Sequence, residues 1–233
     1  MPTETVLQRR DRGLIAFAAL TAARVAALAS FRLEHVNVAE GYVDRDARAV
    51  RTKFAKTFRT YFMPIGGDAL SIARDWIDEL RRDHLWGPSD PLFPAPLMGL
   101  NDSGDFAAIG IARHGWASTE PVRNAFRRAF AAGNLPYFNP HSFRDTLTHH
   151  AMALDLTPEG MKAWSQNLGH DDVLTTLTSY GNVPVHRQGE LIRAAQSTVA
   201  DQSRRTQIET LEAILAKLRT NGSAPLSNSS HAP

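Results

Sequence analysis

From about Arg10 to Ser30 the apolar residues Leu14, Ile15, Phe17, Ala18, Leu20, Val25 and Leu28 recur at helical spacing and form one broad, alanine-rich face. A helix with such a face is stable only when it buries that face against other elements, so the chain has to build a multi-element core. One residue breaks the pattern. Arg24 stands within the stripe, where a charge is rarely buried without a partner; it either reaches solvent along its stem or meets an anion.

The rest of the chain surrounds one β-rich stretch with helix signals. Val36 to Pro64 is β-branched and punctuated by turns, and its pieces around Tyr42–Val43, Ala49–Lys53 and Phe58–Met63 predict a small antiparallel sheet. A helix is expected from Asp68 to about Asp83, then a loop from Trp86 to Asp105, where Pro, Gly, Asp and Asn crowd. A further helix covers Glu120 to Ala132, with Pro121 in its first turn. Asn139 is a suitable N-cap and Pro140 a suitable first residue for a helix through about Leu154. Pro158 opens the next, which Gly169 ends. Shorter helical segments follow from Asp172 and Pro184, and Arg205 to Arg219 carries Ile208, Leu211, Ile214, Leu215 and Leu218 on one stripe. The Ser-, Asn- and Pro-rich tail from Asn221 to Pro233 is expected to be disordered. The fold class is therefore mainly α with a small antiparallel β-sheet (α+β). Its expected parts are a domain over residues 1–204, a C-terminal helix over 205–220 and a tail over 221–233.

A length of 233 residues allows a full-sized core. No run approaches the roughly 18 uninterrupted apolar residues of a membrane span. The polar start lacks a secretory signal, and the absence of cysteine excludes disulfides and thiolate metal sites. A cytoplasmic protein is expected.

The net charge of +2 is uninformative, but its distribution is uneven. Arg45, Arg48, Arg51, Lys53, Lys56 and Arg59 face a single acid, Asp46, between positions 45 and 59. Arg123, Arg127 and Arg128 form a second cluster on a predicted helix. Such a basic face is a footprint for a phosphate backbone, with Arg51, Lys56, Arg59, Arg123 and Arg127 as the DNA-binding candidates; the bland alternative is a solvated charged hairpin.

Two short motifs could carry chemistry. His141-Ser-Phe-Arg144 puts an imidazole and a guanidinium three apart, in a helix first turn whose free amides favour an anion. Leu168-Gly169-His170 ends one helix and presents His170 at the start of the next. Tyr180 lies ten residues on, which in one straight helix is about 15 Å, too far to share a phosphate with His170. A bend is therefore needed, and the β-branched Thr175–Thr176 pair weakens a continuous helix there. Each motif alone fits packing or surface roles at least as well.

In combination and order, these residues resemble the tyrosine recombinases, the family of phage integrases, Xer-type resolving enzymes and transposon recombinases. That family carries an arginine in T-G-L-R-x-x-E-L, a lysine on a β-hairpin, then H-x-x-R, L-G-H and a nucleophilic tyrosine. Thr21-Ala-Ala-Arg24-Val-Ala-Ala-Leu28 matches the first box, and Arg51-Thr-Lys53-Phe-Ala-Lys56 the hairpin. Pro140-His141-Ser-Phe-Arg144 and Leu168-Gly-His170, followed by Thr-Thr-Leu-Thr-Ser-Tyr180, match the others. The resemblance spans roughly Gln8 to Val183. It implies the tyrosine recombinase catalytic-domain fold, acting on double-stranded DNA as a homo-oligomer of four protomers. Tyr180 would be the nucleophile, and Arg24, Arg144 and His170 would bind the phosphate. Lys53 would be the general acid, with Lys56 as its rival on the hairpin, and His141 would assist proton movement; no metal or other cofactor is required.

Several positions depart from the family's pattern. Ala22 stands where glycine is usual, Ala27 where glutamate is usual, and Asp145 where histidine is common after the arginine. The helical core-binding domain that usually precedes this one is expected to be absent. Three other readings are a DNA-binding regulator that kept the fold and lost activity, a type IB topoisomerase, and a metalloenzyme using His141, His149, His150 and His170. The last lacks acidic ligands at suitable spacing.

Overall fold

The computed structural model describes residues 1–52, 55–154, 156–170, 172–180 and 185–221, with backbone only at 175, 177, 179, 180, 199, 200, 203 and 214–221. The chain divides into two units, Met1–Tyr180 and Gly181–Pro233.

The first unit opens with α1 (Val6–Thr21), whose start is a capping box: the Thr5 side chain accepts from the Gln8 amide, and the Gln8 side chain accepts from that of Thr5. The long helix expected to run to Ser30 is broken. Ala22 adopts a left-handed conformation (φ 48°), its amide bonds back to the Ala18 carbonyl, and Arg24 is extended as the N-cap of a short helix, α2 (Val25–Leu28). Thr21 contributes to the break by returning its hydroxyl to the Phe17 carbonyl at 2.7 Å. Arg24 thus sits at a turn, not in mid-helix.

After a 3₁₀ turn (Leu33–His35), β1 (Val36–Asn37), β2 (Tyr42–Arg45) and β3 (Phe58–Tyr61) form an antiparallel sheet in that order. Val36 pairs with Val43, Tyr42 with Tyr61 and Arg45 with Phe58. Strand alternation sends Val43 and Arg45 to the core side and Tyr42 and Asp44 to the other. The expected strand over Ala49–Lys53 does not form at Ala49–Thr52; Lys53 lies outside the described residues. At the open side of β3 the Asn167 amide group acts like one more strand residue: its Oδ1 accepts from the Tyr61 amide at 2.7 Å and its Nδ2 donates to the Tyr61 carbonyl at 2.9 Å.

A second hairpin was not expected. Within and beyond the predicted loop from Trp86 to Asp105, β4 (Pro96–Leu100) pairs with β5 (Phe106–Ile111). The Asn101 side chain closes its turn by accepting from the Ser103 and Asp105 amides. The proline and glycine that suggested a loop lie at the first strand residue and at Gly99, against Ile109, both positions a hairpin tolerates.

The helices follow the predicted order. They are α3 (Ala69–Arg82), α4 (Glu120–Ala132), α5 (Ser142–Met152), α6 (Pro158–Asn167) and α7 (Val173–Tyr180). Helix α5 begins two residues later than expected: Asn139 caps the turn by accepting from the His141 amide, and His141 is the N-cap residue. Helix α7 packs against α5 and α6. In the second unit, α8 (Val185–Asn221) is one helix, so the separate helix expected from Arg205 is its C-terminal part. No described helix is long and apolar enough to cross a membrane.

The core forms around Phe17 of α1, which meets Phe31, Phe62 and Phe93 edge-on at 5.6, 6.0 and 5.6 Å. Helix α3 lies against α1, and Trp76 bonds its indole N–H to the Leu92 carbonyl at 2.9 Å. A Cβ on Gly13 would lie 2.7 Å from both Cβ and Cγ of Trp76, so glycine permits this close approach. Gly13→Ala is therefore expected to destabilise the protein by about 1–3 kcal/mol through overpacking. That reverses the roughly 1 kcal/mol gain that alanine ordinarily brings inside a helix, and urea unfolding reads the sign directly.

Candidate functional site

Two turns far apart in sequence meet at one side chain. Arg144, in the first turn of α5, is 3% exposed. It donates through Nη1 to the Ala22 carbonyl at 3.0 Å, and through Nη2 to the Leu168 carbonyl at 2.6 Å and to His170 Nε2 at 2.9 Å. The α1–α2 turn and the α6–α7 turn are therefore fixed to each other by one guanidinium. The planar fork of arginine suits this better than the single point charge of lysine.

That contact also sets the state of His170. Arginine has donors only, so Nε2 of His170 accepts and the ring proton sits on Nδ1. Nδ1 lies 2.9 Å from Thr176 Oγ1, which donates onward to Ser165 Oγ at 2.9 Å. Thr176 and Ser165 are both buried.

Arg45 completes the arrangement from the sheet. It is 2% exposed, donates to the Thr21 carbonyl at 2.7 Å, and lies with its guanidinium carbon 4.9 Å from the centre of the Phe58 ring. Its Nε has no hydrogen-bond partner. The side chain of Arg24, half-buried on the turn that Arg45 and Arg144 hold, makes no hydrogen bond or ion pair among the described residues.

The electrostatics of the three arginines are consistent. None forms an ion pair with a carboxylate among the described residues. Burial pushes Arg45 down to about 9, and repulsion from Arg144 and Arg24 adds to it. Burial likewise lowers Arg144 to about 10, with repulsion from Arg24 outweighing a weak pull from Asp145. Arg24 is lowered by burial alone. All three remain protonated at neutral pH, so the site concentrates positive charge with no carboxylate ion-paired to it among the described residues. An oxyanion fits such a site.

The two basic clusters singled out in the sequence behave differently. Arg48 pairs with Asp46, and Arg59 pairs with Asp44 at 2.8 Å while its guanidinium lies 3.6 Å over the Tyr42 ring. Arg51 spends its guanidinium on the carbonyls of Ala29, Trp116 and Ala117. On α4, Arg123 and Arg127 share Glu120, and Arg128 reaches the buried Asp11. Acids close in space thus partner Arg48, Arg59, Arg123, Arg127 and Arg128, whereas Arg45 and Arg51 bond to carbonyls. Counting charge along the chain missed this, because the partners come from Asp11, Asp44 and Glu120.

Of the other candidates, His141, the N-cap residue of α5, is exposed, whereas Arg144 three residues on is buried. Lys56 is half-buried, and its carbonyl accepts from the Thr52 hydroxyl. Tyr180 is the last residue of α7, and its side chain lies outside the described atoms, as does all of Lys53. Among the described residues no cluster of three or more His, Cys, Asp or Glu side chains could hold a metal ion. Arg45, Thr176 and Ser165 were not among the site residues expected from the sequence, where Arg45 counted only as part of a basic cluster and Thr176 only as a helix-weakening residue. For Arg45 a signal existed: in Tyr42-Val43-Asp44-Arg45 it shares the strand face of the apolar Val43.

Gly169 packs closely beside the site. Its φ is +74°, and a Cβ there would lie 2.7 Å from Cζ of Phe58, the ring that Arg45 covers. Gly169→Ala is expected to destabilise by about 2 kcal/mol or more, from a left-handed alanine and a clash with a packed ring. Thr176→Val strands the Nδ1–H of His170 and is expected to cost about 1–3 kcal/mol, while Thr176→Ser restores most of it. Chemical denaturation of the three variants measures both effects.

No protein-family model matches the sequence, and no curated protein matches it. Solved structures do. The chain is similar to XerA recombinase, with a TM-score of 0.52 and 17% identity over 84% of this chain and 64% of that one. It is equally similar to XerH site-specific recombinase bound to its difH substrate in a pre-cleavage complex: TM-score 0.52, 14% identity, 82% of this chain and 48% of that one. The chain thus spans about half to two-thirds of the length of these recombinases. The chain, mostly helical with small antiparallel sheets, has the fold of the tyrosine recombinase catalytic domain.

Proposed function

We propose that the chain is a DNA strand transferase that performs site-specific recombination, integrating or excising a mobile element. The observation that carries this reading is the positive charge of the buried Arg45 and Arg144 and the half-buried Arg24 beside His170, with no carboxylate ion-paired to it among the described residues, in a fold shared with recombinases. A phosphodiester is the anion that would supply the missing charge.

In the proposed reaction the Tyr180 phenol oxygen attacks the scissile phosphorus and loses its proton, with His141 assisting the transfer. The bond from phosphorus to the 5′-oxygen breaks, Lys53 protonates the departing oxygen, and a 3′-phosphotyrosine link remains. Arg24, Arg144 and His170 donate to the non-bridging oxygens as charge develops there. Because Nε2 of His170 accepts from Arg144 in the free site, donation by that nitrogen requires it to gain a proton and the pair to part on DNA binding. A partner strand's 5′-hydroxyl then attacks the phosphotyrosine, restoring the phenol. The phosphodiester energy is conserved in the covalent link, so the scheme needs no nucleotide and no metal. Four protomers would act on two duplexes. The stripe of α8 that includes the exposed Ile208 and Leu211 would dock on a neighbour.

The test is relaxation of a supercoiled plasmid in EDTA without ATP. Wild type is expected to relax it and to be trapped covalently on DNA, whereas Tyr180→Phe does neither. Arg144→Lys should lower the rate on the order of 10²–10³-fold, as for loss of one donor to developing charge. Binding should weaken steeply as salt rises, because phosphate contacts dominate. Equal relaxation by Tyr180→Phe and wild type sinks the assignment of the nucleophile. DNA binding without relaxation by either favours a regulator that has kept only the fold.

A further inference from the structure

We propose that Arg45 is a positioning residue of the anion site, a buried cation that holds the Arg24 turn in place and whose charge is balanced only when a phosphodiester is bound. The proposal rests on the reading of the site as a phosphate site.

The position does not call for an arginine on packing grounds. Arg45 occupies the core side of β2, beside Val43 and opposite Phe58, where an apolar chain of similar length would fill the same space. Replacing a buried charge by such a chain is often neutral or stabilising. The arginine is instead retained with its Nε unsatisfied and with no carboxylate paired to it among the described residues. Both are unfavourable in the free protein.

What Arg45 does gain is control of one turn. Helix α1 ends at Thr21, and the left-handed Ala22 leaves two neighbouring carbonyls pointing away from any continuing helix. Arg45 takes the first at 2.7 Å and Arg144 the second at 3.0 Å. Two residues further on is Arg24, carried by the backbone those bonds fix. Two cations therefore clamp the turn that presents a third, and each repels the others. An anion received between them turns that repulsion into attraction. Any ligand bound only by the folded chain stabilises it, and the gain grows with affinity. Arg45 therefore lowers the stability of the free protein and raises that of the complex.

A plain structural clamp would behave differently, since its loss would weaken free and bound protein alike. The experiment uses the full chain as wild type, Arg45→Met and Arg45→Lys. Thermal unfolding is followed with and without a saturating short DNA duplex. Arg45→Met is expected to unfold no earlier than wild type without DNA, and to show a clearly smaller rise in Tm when DNA is added. Arg45→Lys, which keeps the charge but not the fork, should retain more of that rise. In plasmid relaxation Arg45→Met should slow the reaction on the order of tenfold, less than the loss expected for a donor that touches the phosphate. Equal DNA-induced rises in all three proteins, or early unfolding of Arg45→Met with a full rise in Arg45→Lys, make Arg45 a structural clamp and overturn the proposal. A wild type that gains no stability from DNA overturns the phosphate reading itself, and this proposal with it.

Discussion

Arg144 is the residue on which the site depends. Its guanidinium bonds to carbonyls 122 residues before it and 24 after it, so neither turn can take its place without the other. Short-range signals cannot specify such a junction, because each turn is unremarkable alone. The joint also explains why a cation sits in the interior. The ends of helices leave carbonyls without partners, and a donor-only group with five N–H bonds can satisfy several of them at once. Burial and charge are thereby linked: the groups that organise the backbone are the same ones that make the site electropositive.

Elements whose signals are local were legible in the sequence. Glu120–Ala132 forms as expected because proline opens it and its apolar residues keep one face. Gly169 ends α6 in the left-handed conformation that its position after Leu168 suggested. The order of helices and two of the three strand pieces were legible in periodicity and turn residues, whereas Arg144 and His170 were brought together only by the family resemblance. The resemblance to recombinases rested on the short motifs, and the shared fold agrees with it.

What escaped was determined at a distance. Thr21 to Leu28 is rich in alanine, so intrinsic preference favours an unbroken helix. The break comes instead from a tertiary exchange, in which carbonyls released at Thr21 and Ala22 are taken by Arg45 and Arg144. The glycine usual at position 22 in the recombinase pattern makes sense in this light, since a φ of 48° carries little penalty without a Cβ. The second hairpin was hidden because proline at an edge and glycine opposite a bulky side chain look like a loop when counted and like a strand when paired. Charge counted along the chain does not show which cations meet an acid in space. Arg48 and Arg59 of the arginine-rich segment do, whereas Arg45 of the same segment, like Arg24 and Arg144, is ion-paired with no carboxylate among the described residues.

The Asn167 side chain at Tyr61 carries a consequence for how the protein behaves in solution. The sheet order leaves β3 at one margin, and exposed strand margins invite pairing with other chains. At Tyr61 the main-chain donor and acceptor are both engaged by the Asn167 amide, so a foreign strand arriving there finds no free pair to begin from. One side chain from the end of α6 thus guards the rim of the sheet against self-association. This matters for a protein whose proposed work brings several copies together on the same DNA, because only the intended contacts should join them.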